Sequence, residues 1–161
     1  MKIGIGGISR SGKTTLASRL KEYFTDELVD VINLDKYTIP WNQIPKIKNM
    51  VDWEHPSSID FNKLERDIRE STRDFEIIVA EGFLIYYHQP IRDLFDTKIY
   101  LSINKDLFRN RRKSQYGEPE WYIEHIWDSY HEYHGEFKGT CDIKLDENSN
   151  IDLEIEKYWK R

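Results

Sequence analysis

Cysteine and long hydrophobic runs are the two features that this sequence has least of. Cys141 is the single cysteine among 161 residues, so no disulfide can form within the chain, as is typical of proteins from a reducing compartment. No apolar run approaches the roughly 18 residues of a membrane-spanning helix, and no signal-peptide pattern opens the chain. We therefore expect a cytoplasmic protein without a membrane partner, in which Cys141 is a small strand side chain.

Basic residues are outnumbered by acidic residues in this sequence. The chain has 24 Lys and Arg residues against 29 Asp and Glu residues, which gives a formal net charge of −5. Proteins that bind nucleic acids usually carry a basic surface, so we expect no nucleic-acid partner. The length fits one domain, and we treat residues 1–161 as a single domain that is a monomer or a homodimer.

A glycine-rich motif near the N-terminus is the most informative stretch. Residues 7–14, Gly-Ile-Ser-Arg-Ser-Gly-Lys-Thr, match the pattern G-x-x-x-x-G-K-[ST] and follow the strand-like residues 1–6. In such phosphate-binding loops the backbone N–H groups surround phosphates, while the lysine and the hydroxyl bind the β/γ-phosphates and Mg²⁺. We assign these roles to Lys13 and Thr14, at the start of a predicted helix. The alternative is an ordinary glycine turn between a strand and a helix.

Strand-like and helix-like segments alternate along the rest of the chain. Apolar, β-branched runs predict strands at residues 28–34, 77–80, 98–103 and 142–145. Apolar residues at helical spacing predict helices at residues 13–24, 59–68, 106–113, 118–137 and 151–159. Residues 36–58 contain three prolines and several aromatic residues, which indicates a long functional loop. This alternation is typical of an α/β fold with a parallel sheet.

Two acidic residues stand at the ends of predicted strands. Asp35 follows residues 28–34, and Glu81 follows residues 77–80. Ligands of open α/β sheets bind beyond these strand ends, and phosphoryl transfer needs both a metal ion and a group that orients the nucleophile. We assign Asp35 as the candidate base and a Mg²⁺ contact, and Glu81 as a support for Mg²⁺ or for Lys13. Each could instead be a structural acid in a turn or at a strand end.

A basic segment stands out in an acidic protein. Residues 105–113 contain five basic residues and one acidic residue. Because guanidinium groups bind phosphate with two parallel hydrogen bonds, we predict a lid at about residues 109–120 that closes over a nucleotide. A solvated basic helix face is the alternative.

Histidines are concentrated at residues 124–134, where His131 and His134 could share a helix face. The spacing H-E-x-x-H of zinc enzymes is missing. We therefore expect partly exposed helix histidines among aromatic core positions and not a metal site.

With these residues in view, the sequence resembles the uridine kinase-like branch of P-loop nucleoside kinases, and within it the nicotinamide riboside kinases. Residues 33–37, Asn-Leu-Asp-Lys-Tyr, are similar to the strand-end segment that carries the family's catalytic base. Residues 52–56, Asp-Trp-Glu-His-Pro, look like the family's aromatic-acid-His-Pro segment. The resemblance implies that Asp35 is the base, that Glu54 holds the ribose 2′ and 3′ hydroxyls, and that Trp53 stacks on a pyridinium ring.

Residues 81–85, Glu-Gly-Phe-Leu-Ile, are nearly the form that nicotinamide riboside kinases carry after their third strand. The resemblance also implies that Arg111 contacts ATP and Arg112 the ribose. It places a second stacking aromatic at Tyr116 and the adenine contact at residues 146–148. It further implies a P-loop kinase fold of three layers, α/β/α, with a five-stranded parallel sheet in the order 2-3-1-4-5.

The expected reaction is the transfer of the γ-phosphate of ATP, with Mg²⁺, to the 5′-hydroxyl of a ribonucleoside. Nicotinamide riboside is the first choice of acceptor and uridine or cytidine the second. A kinase of another small hydroxylated metabolite and a nucleotide-binding regulatory module are the alternatives. A uracil base would need hydrogen-bonding partners such as His55, His88 or Tyr86.

The candidate site residues fall into four sets that overlap. The catalytic set is Lys13, Asp35, Glu81 and Arg111. The nucleotide-binding set is Gly7, Ser9, Arg10, Ser11, Gly12, Lys13, Thr14, Thr15, Arg111 and Asp146. The substrate-binding set is Asp35, Tyr37, Trp53, Glu54, Arg112 and Tyr116. The metal-binding set is Thr14 and Asp35.

Overall fold

A sheet of five parallel strands crosses the protein, and helices cover both of its faces. The computed structural model describes residues 1–160. Its strands are β1 (Lys2–Gly7), β2 (Val29–Asn33), β3 (Lys46–Ile47), β4 (Met50–Val51), β5 (Ile77–Gly82), β6 (Thr97–Leu101) and β7 (Ile143–Leu145). Its α-helices are α1 (Lys13–Tyr23), α2 (Phe61–Ser71), α3 (Gln89–Arg92), α4 (Lys105–Tyr116), α5 (Glu120–His134) and α6 (Ile151–Tyr158). Within this described range, no helix is both long enough and apolar enough to cross a bilayer.

The order of the strands places β1 at the centre of the sheet. The sheet has the order β2-β5-β1-β6-β7, and its neighbouring strands are parallel. The short strands β3 and β4 form a separate antiparallel hairpin, which shifts the labels of the later strands. When the hairpin is left out of the count, the order reads 2-3-1-4-5, as the family resemblance implies.

Each face of the sheet packs against its own helices. On one face, Ile5 of β1 lies in a core with Leu16 of α1 and Ile155 of α6. On the other face, a second core contains Leu64 of α2 and Ile126 of α5. Parallel sheets need such cover on both faces because their strands are apolar on both sides. The predicted class, a three-layer α/β/α fold with a five-stranded parallel sheet, is confirmed.

Three parts of the predicted pattern differ from the structure. The helix predicted at residues 118–137 ends at His134 and continues as a 3₁₀ helix, Gly135–Thr140, because glycine weakens an α-helix. The predicted loop at residues 36–58 contains the hairpin and short 3₁₀ helices. Helix α3 has only four residues, too few to produce a periodic hydrophobic pattern.

Cys141 lies just before the edge strand β7 and not within it. Its side chain is buried, and its Sγ donates a hydrogen bond to the backbone oxygen of Phe137 at 3.2 Å. Burial raises the pKa of the Cys141 thiol to about 11. The thiol is therefore shielded from solvent and protonated at neutral pH.

Candidate active site

A cavity of about 970 Å³ lies where the phosphate loop meets the segments that follow β2, β5 and β7. Most of the predicted site residues line it, and they are Ser9, Arg10, Ser11, Gly12, Lys13, Thr14, Thr15, Asp35, Trp53, Glu54, Glu81, Arg111, Arg112, Tyr116 and Asp146. Two predicted residues, Gly7 and Tyr37, lie outside this lining. The carboxyl ends of parallel strands are where ligands of such sheets bind.

The phosphate loop joins β1 to α1 through a backbone that favours glycine. Gly12 has a φ of 102°, in the left-handed region. Gly7 lies outside the cavity lining because it is the last residue of β1, beside β6, where a Cβ would come within 2.4 Å of the Leu101 backbone oxygen. The first intrahelical hydrogen bond of α1 runs from Leu16 to Gly12, so the N–H groups of residues 13–15 remain available to an anion.

Lys13 is held within the loop. Its Nζ donates to the backbone oxygen of Ile8 at 3.0 Å, and the side chain is buried. Burial lowers the pKa of Lys13, and the negative charges of Glu81 and Asp35 oppose this shift. A buried ammonium group is suited to bind an anionic phosphate, which would offset its lost hydration.

Glu81 lies behind the phosphate loop in a network that connects three elements. Its Oε1 accepts hydrogen bonds from Thr14 Oγ1 at 2.9 Å and from Asn33 Nδ2 at 2.7 Å. Burial raises the pKa of Glu81, while Lys13 and the hydrogen bond from Thr14 act in the opposite direction. The Thr14 hydroxyl and the carboxylates of Glu81 and Asp35 form an all-oxygen set near the loop. Such a set fits Mg²⁺, which binds one or two carboxylates together with phosphate oxygens and water.

Asn33 lies beside the site although the sequence pattern assigns it no role. It ends β2 directly opposite Glu81 in the register of the sheet, and its Oδ1 accepts the backbone N–H of Asp35 at 2.7 Å. Asn33 therefore links Glu81 to the start of the 3₁₀ helix that carries Asp35. Its place at the end of a strand, two residues before Asp35, is the signal that could have found it.

Asp35 and Tyr37 point to different environments although they share one 3₁₀ helix. Asp35 is exposed and lines the cavity. Tyr37 packs against the core on the side of α2, where Lys63 Nζ lies 5.6 Å from its ring centre. Burial, followed by the nearby Asp67, raises the pKa of Tyr37 to about 12. The structure does not bring Tyr37 to the cavity, because its ring fills space beside α2.

Trp53 and Glu54 line the cavity from the segment that precedes α2. Trp53 is 45% exposed, whereas Glu54 is only 8% exposed. Burial raises the pKa of Glu54 to about 7, and the charge of Arg112 acts against that shift. A carboxyl group in this position can accept hydrogen bonds from hydroxyl groups of a ligand beside the Trp53 ring.

The basic side of the cavity is built by α4. Arg112 donates two hydrogen bonds to Glu118, at 2.6 and 2.8 Å, and a third to Ser9 Oγ at 2.9 Å. Its guanidinium carbon lies 4.6 Å from the ring centre of Tyr116, a cation–π contact. Arg111 Nη1 donates to the backbone oxygen of Arg10 at 2.8 Å. Glu118, another residue missed from the sequence, thus fixes the Arg112 fork beside the phosphate loop.

The predicted lid coincides with the junction of α4 and α5. Gly117 ends α4 with a φ of 60°, and Pro119 precedes α5. Glu120 forms ion pairs with Arg109 and Lys113 across the junction. These pairs are largely exposed, and such pairs contribute little to stability. Closure of this segment over a nucleotide stays a prediction.

Asp146 follows β7, at the edge of the sheet opposite β2, and lines that end of the cavity. Its Oδ1 accepts hydrogen bonds from Asn148 N at 2.9 Å and from Ser149 Oγ at 3.1 Å, which forms a compact turn. The neighbouring Glu147 accepts a hydrogen bond from Asn104 Nδ2 at 2.6 Å. This turn contributes Asp146, Glu147 and Ser149 to the cavity wall.

The histidines of α5 differ from the expectation of partial exposure. His134 is fully buried between Tyr86, Tyr100 and Tyr130, and neither of its ring nitrogens has a hydrogen-bond partner in residues 1–160. Burial lowers the pKa of His134 to about 3, and the charge of Lys13 adds to that shift. The expectation is wrong for His134 because this last turn of α5 faces the core.

Among residues 1–160, no group of three His, Cys, Asp or Glu side chains converges as metal ligands.

Several known proteins that resemble this chain are kinases of small molecules. No family model matches the sequence. Nicotinamide riboside kinase 1 of Homo sapiens is 25% identical over an alignment of 156 positions, gaps included, that covers 84% of this chain and 77% of that protein. A uridine kinase of Lactobacillus helveticus is 24% identical over an alignment of 189 positions, gaps included, that covers 96% of this chain and 90% of that protein.

Solved structures agree at the level of the fold. A possible uridine kinase from Bacillus stearothermophilus has a TM-score of 0.62 and 21% identity over 91% of this chain and 88% of that chain. Shikimate kinase from Acinetobacter baumannii has a TM-score of 0.63 and 17% identity over 98% of this chain and 89% of that chain. Together with the phosphate loop, these neighbours define the fold as that of P-loop kinases. Within that class the curated relatives are nicotinamide riboside kinases and uridine kinases, so the resemblance predicted from the sequence is confirmed.

Proposed function

We propose that this chain is an ATP-dependent nucleoside kinase that phosphorylates the 5′-hydroxyl of nicotinamide riboside. The observation that carries the proposal is a single cavity with two kinds of lining. The phosphate loop and Lys13 line one part of it, and Asp35, Trp53 and Glu54 line another. A regulatory module that only binds a nucleotide has no need of a base, an aromatic ring and a buried carboxyl group beside the phosphate loop.

The side chains supply the parts that phosphoryl transfer requires. Lys13 and the N–H groups at the start of α1 bind the transferred phosphate, and Arg111 adds positive charge where negative charge develops. Asp35 accepts the proton of the acceptor hydroxyl. Thr14 and Asp35, with Glu81 behind Thr14, would hold Mg²⁺. When bound, this ion neutralises charge on the β- and γ-phosphate oxygens.

The acceptor side favours a cationic ring over a uracil. Trp53 and Tyr116 are half exposed in the cavity lining, and aromatic faces attract a cation such as a pyridinium by about 0.5 to 2 kcal/mol. The residues expected to bind uracil, His55, His88 and Tyr86, lie outside that lining, and the Tyr86 hydroxyl is taken up by backbone groups of β1 and β6. Glu54 is suited to accept hydrogen bonds from ribose hydroxyls. The similarity to uridine kinases keeps uridine and cytidine as the second candidate acceptors.

An acceptor panel tests the proposal. ATP consumption with Mg²⁺ is measured with nicotinamide riboside, uridine, cytidine, adenosine, pantothenate, shikimate or no acceptor, and the product is identified by mass. We expect consumption with nicotinamide riboside and formation of its mononucleotide. A Lys13→Met protein prepared in the same way is the control, because methionine is an unbranched side chain of similar length that lacks the phosphate-binding ammonium group.

Each other outcome points to one alternative. Consumption with only uridine or cytidine would assign the second candidate function, and consumption with only shikimate or pantothenate would indicate a different metabolite kinase. ATP binding without consumption in any mixture would favour a regulatory module. Activity that persists in the Lys13→Met preparation would indicate a contaminating kinase.

A further inference from the structure

The segment that carries Trp53 and Glu54 is connected to α5 by a partly buried polar contact. His125 Nε2 lies 2.8 Å from Asp52 Oδ1, and the two side chains are 18% and 12% exposed. Removing a carboxylate from water is costly unless a hydrogen bond or an opposite charge compensates. His125 supplies that compensation for Asp52, over a sequence separation of 73 residues.

Asp52 opens the turn that presents the two acceptor-side residues. Its backbone oxygen accepts the N–H of His55 at 3.2 Å, so Trp53 and Glu54 occupy the two central positions of a four-residue turn. The Asp52 N–H donates to the backbone oxygen of Pro45 at 2.8 Å, which fixes the start of the turn. Aspartate at the first position of a turn commonly bonds to its own turn. Here its carboxylate bonds to another helix instead.

A second contact from α5 reaches the preceding residue. Tyr122, one helical turn before His125, donates its hydroxyl to the backbone oxygen of Val51 at 3.0 Å. The rings of Tyr122 and His125 lie 6.0 Å apart. Consecutive residues of the segment, Val51 and Asp52, are therefore both attached to one face of α5.

We propose that His125 is a positioning residue of the acceptor site: through Asp52, it fixes the turn that presents Trp53 and Glu54 to the cavity. The inference rests on the proposed function for the role of those two residues. His125 itself lies outside the cavity lining, so it acts through the turn and not on the reacting atoms. The role requires that Nε2 of His125 donates its hydrogen to the Asp52 carboxylate.

Two variants separate this hydrogen bond from simple space filling. In His125→Gln, the side-chain amide nitrogen can still donate to Asp52. In His125→Leu, the side chain keeps much of its volume and has no donor. His131→Leu is the matched control, because His131 is an exposed histidine on the same helix.

Hydrogen exchange of the free protein tests the positioning without reference to any activity. We expect His125→Leu to speed amide exchange in residues 51–58 by about tenfold or more while residues 7–15 stay within about twofold of the unmodified protein. His125→Gln and His131→Leu should both remain close to the unmodified protein. Unchanged exchange in residues 51–58, or an equal increase in both segments, would overturn the inference.

Kinetics then test the consequence for the acceptor. We expect His125→Leu to raise the KM of the acceptor about tenfold and to leave the KM of ATP within about twofold, with most of the loss restored in His125→Gln. Equal changes in both KM values would overturn the role at the acceptor site. If the unmodified protein phosphorylates no acceptor, the proposed function fails by itself, and the exchange measurement still decides whether His125 fixes the turn.

Discussion

Asp35 is the residue on which the proposed chemistry depends most directly. Its backbone N–H is held by Asn33, and its carboxylate lines the cavity. Asp35→Asn keeps the size of the side chain and removes its capacity to accept a proton. We expect ATP affinity within about twofold of the unmodified protein and a fall in turnover of roughly 10² to 10⁴, the usual contribution of a general base.

The measurement pairs ATP titration with steady-state turnover on the preferred acceptor. Lys36→Ala provides the control, since Lys36 is the exposed neighbour of Asp35 on the same 3₁₀ helix. Unchanged turnover in Asp35→Asn would remove Asp35 from the mechanism. A large loss of ATP affinity would instead place Asp35 on the nucleotide side of the cavity.

Glu54 gives a pH dependence that can be read from stability alone. Burial raises its pKa from 4.5 to about 7, so the folded state holds this proton more tightly than the unfolded state does. The contribution of Glu54 to stability is therefore greatest below about pH 4.5 and is lost as the pH rises through 7. We expect the unfolding free energy of Glu54→Gln, measured with urea, to exceed that of the unmodified protein by about 1 to 3 kcal/mol between pH 5 and pH 8. Parallel stability curves for the two proteins would contradict this.

At the scale of residues, the sequence predicts the side chains that carry chemistry better than the side chains that hold them. The phosphate loop, Asp35 and Glu81 follow a motif or end a strand, so local pattern is sufficient to find them. Asn33, Glu118 and His125 act through hydrogen bonds whose partners depend on tertiary packing. Tyr37 illustrates the reverse case: a 3₁₀ helix has about three residues per turn, so Tyr37, two residues after Asp35, points away from the cavity that Asp35 lines.

At the scale of elements, the contact between β5 and the 3₁₀ helix Leu34–Tyr37 sets the position of Asp35. A Cβ added to Gly82 would lie 2.3 Å from Cβ of Leu34, so only glycine allows this approach. We expect Gly82→Ala to push Leu34 outward, to cost about 1 to 3 kcal/mol of unfolding free energy, and to reduce turnover by shifting Asp35.

Urea unfolding and acceptor turnover measure the two effects of Gly82→Ala. Gly139→Ala is the control, since a Cβ at Gly139 meets no atom within 4 Å in the described part of the chain. The unfolding free energy of Gly139→Ala should stay within about 0.5 kcal/mol of that of the unmodified protein. A Gly82→Ala protein with unaltered turnover and stability would mean that β5 and the 3₁₀ helix have room to separate without consequence.

The elements that the sequence predicts are those with a long or strongly apolar pattern. The central strands and α1, α2, α4 and α6 fall in this group. The hairpin of β3 and β4 has two residues in each strand, and α3 has four residues, so neither spans a period of the hydrophobic pattern. Their formation depends on contacts with distant segments, such as the hydrogen bond from Tyr122 to Val51.

At the scale of the whole molecule, His134 makes the fold sensitive to acid. Its pKa falls from 6.5 to about 3 through burial, so below pH 6.5 the unfolded state binds a proton that the folded state rejects. Stability is therefore lost as the pH falls from 6.5 toward 3, by about 1.4 kcal/mol for each pH unit. We expect the unfolding free energy of the unmodified protein, measured with urea, to fall by about 2 kcal/mol between pH 7.5 and pH 5. His134→Phe should not show this loss.

His131→Phe serves as the control for the His134 experiment, because His131 is exposed on the same helix. The two buried groups described above act in opposite directions. Acid weakens the fold through His134, and base weakens it through Glu54. An equal acid sensitivity in His134→Phe and in the unmodified protein would assign that sensitivity to other groups.

Because the Cys141 thiol is shielded in the folded protein, its chemical labelling reports when the edge of the sheet opens. A thiol reagent needs an accessible thiolate. In the native protein, burial shields the Cys141 thiol from the reagent and also keeps it protonated. Each labelled molecule therefore records an opening in which the segment around Cys141, next to β7, has moved away from the core. The denaturant dependence of the labelling rate would distinguish a local opening of this edge, with a shallow slope, from unfolding of the entire chain, with a steep one. The labelling rate of Cys141 thus measures native-state fluctuations at the sheet edge that borders the Asp146 end of the cavity.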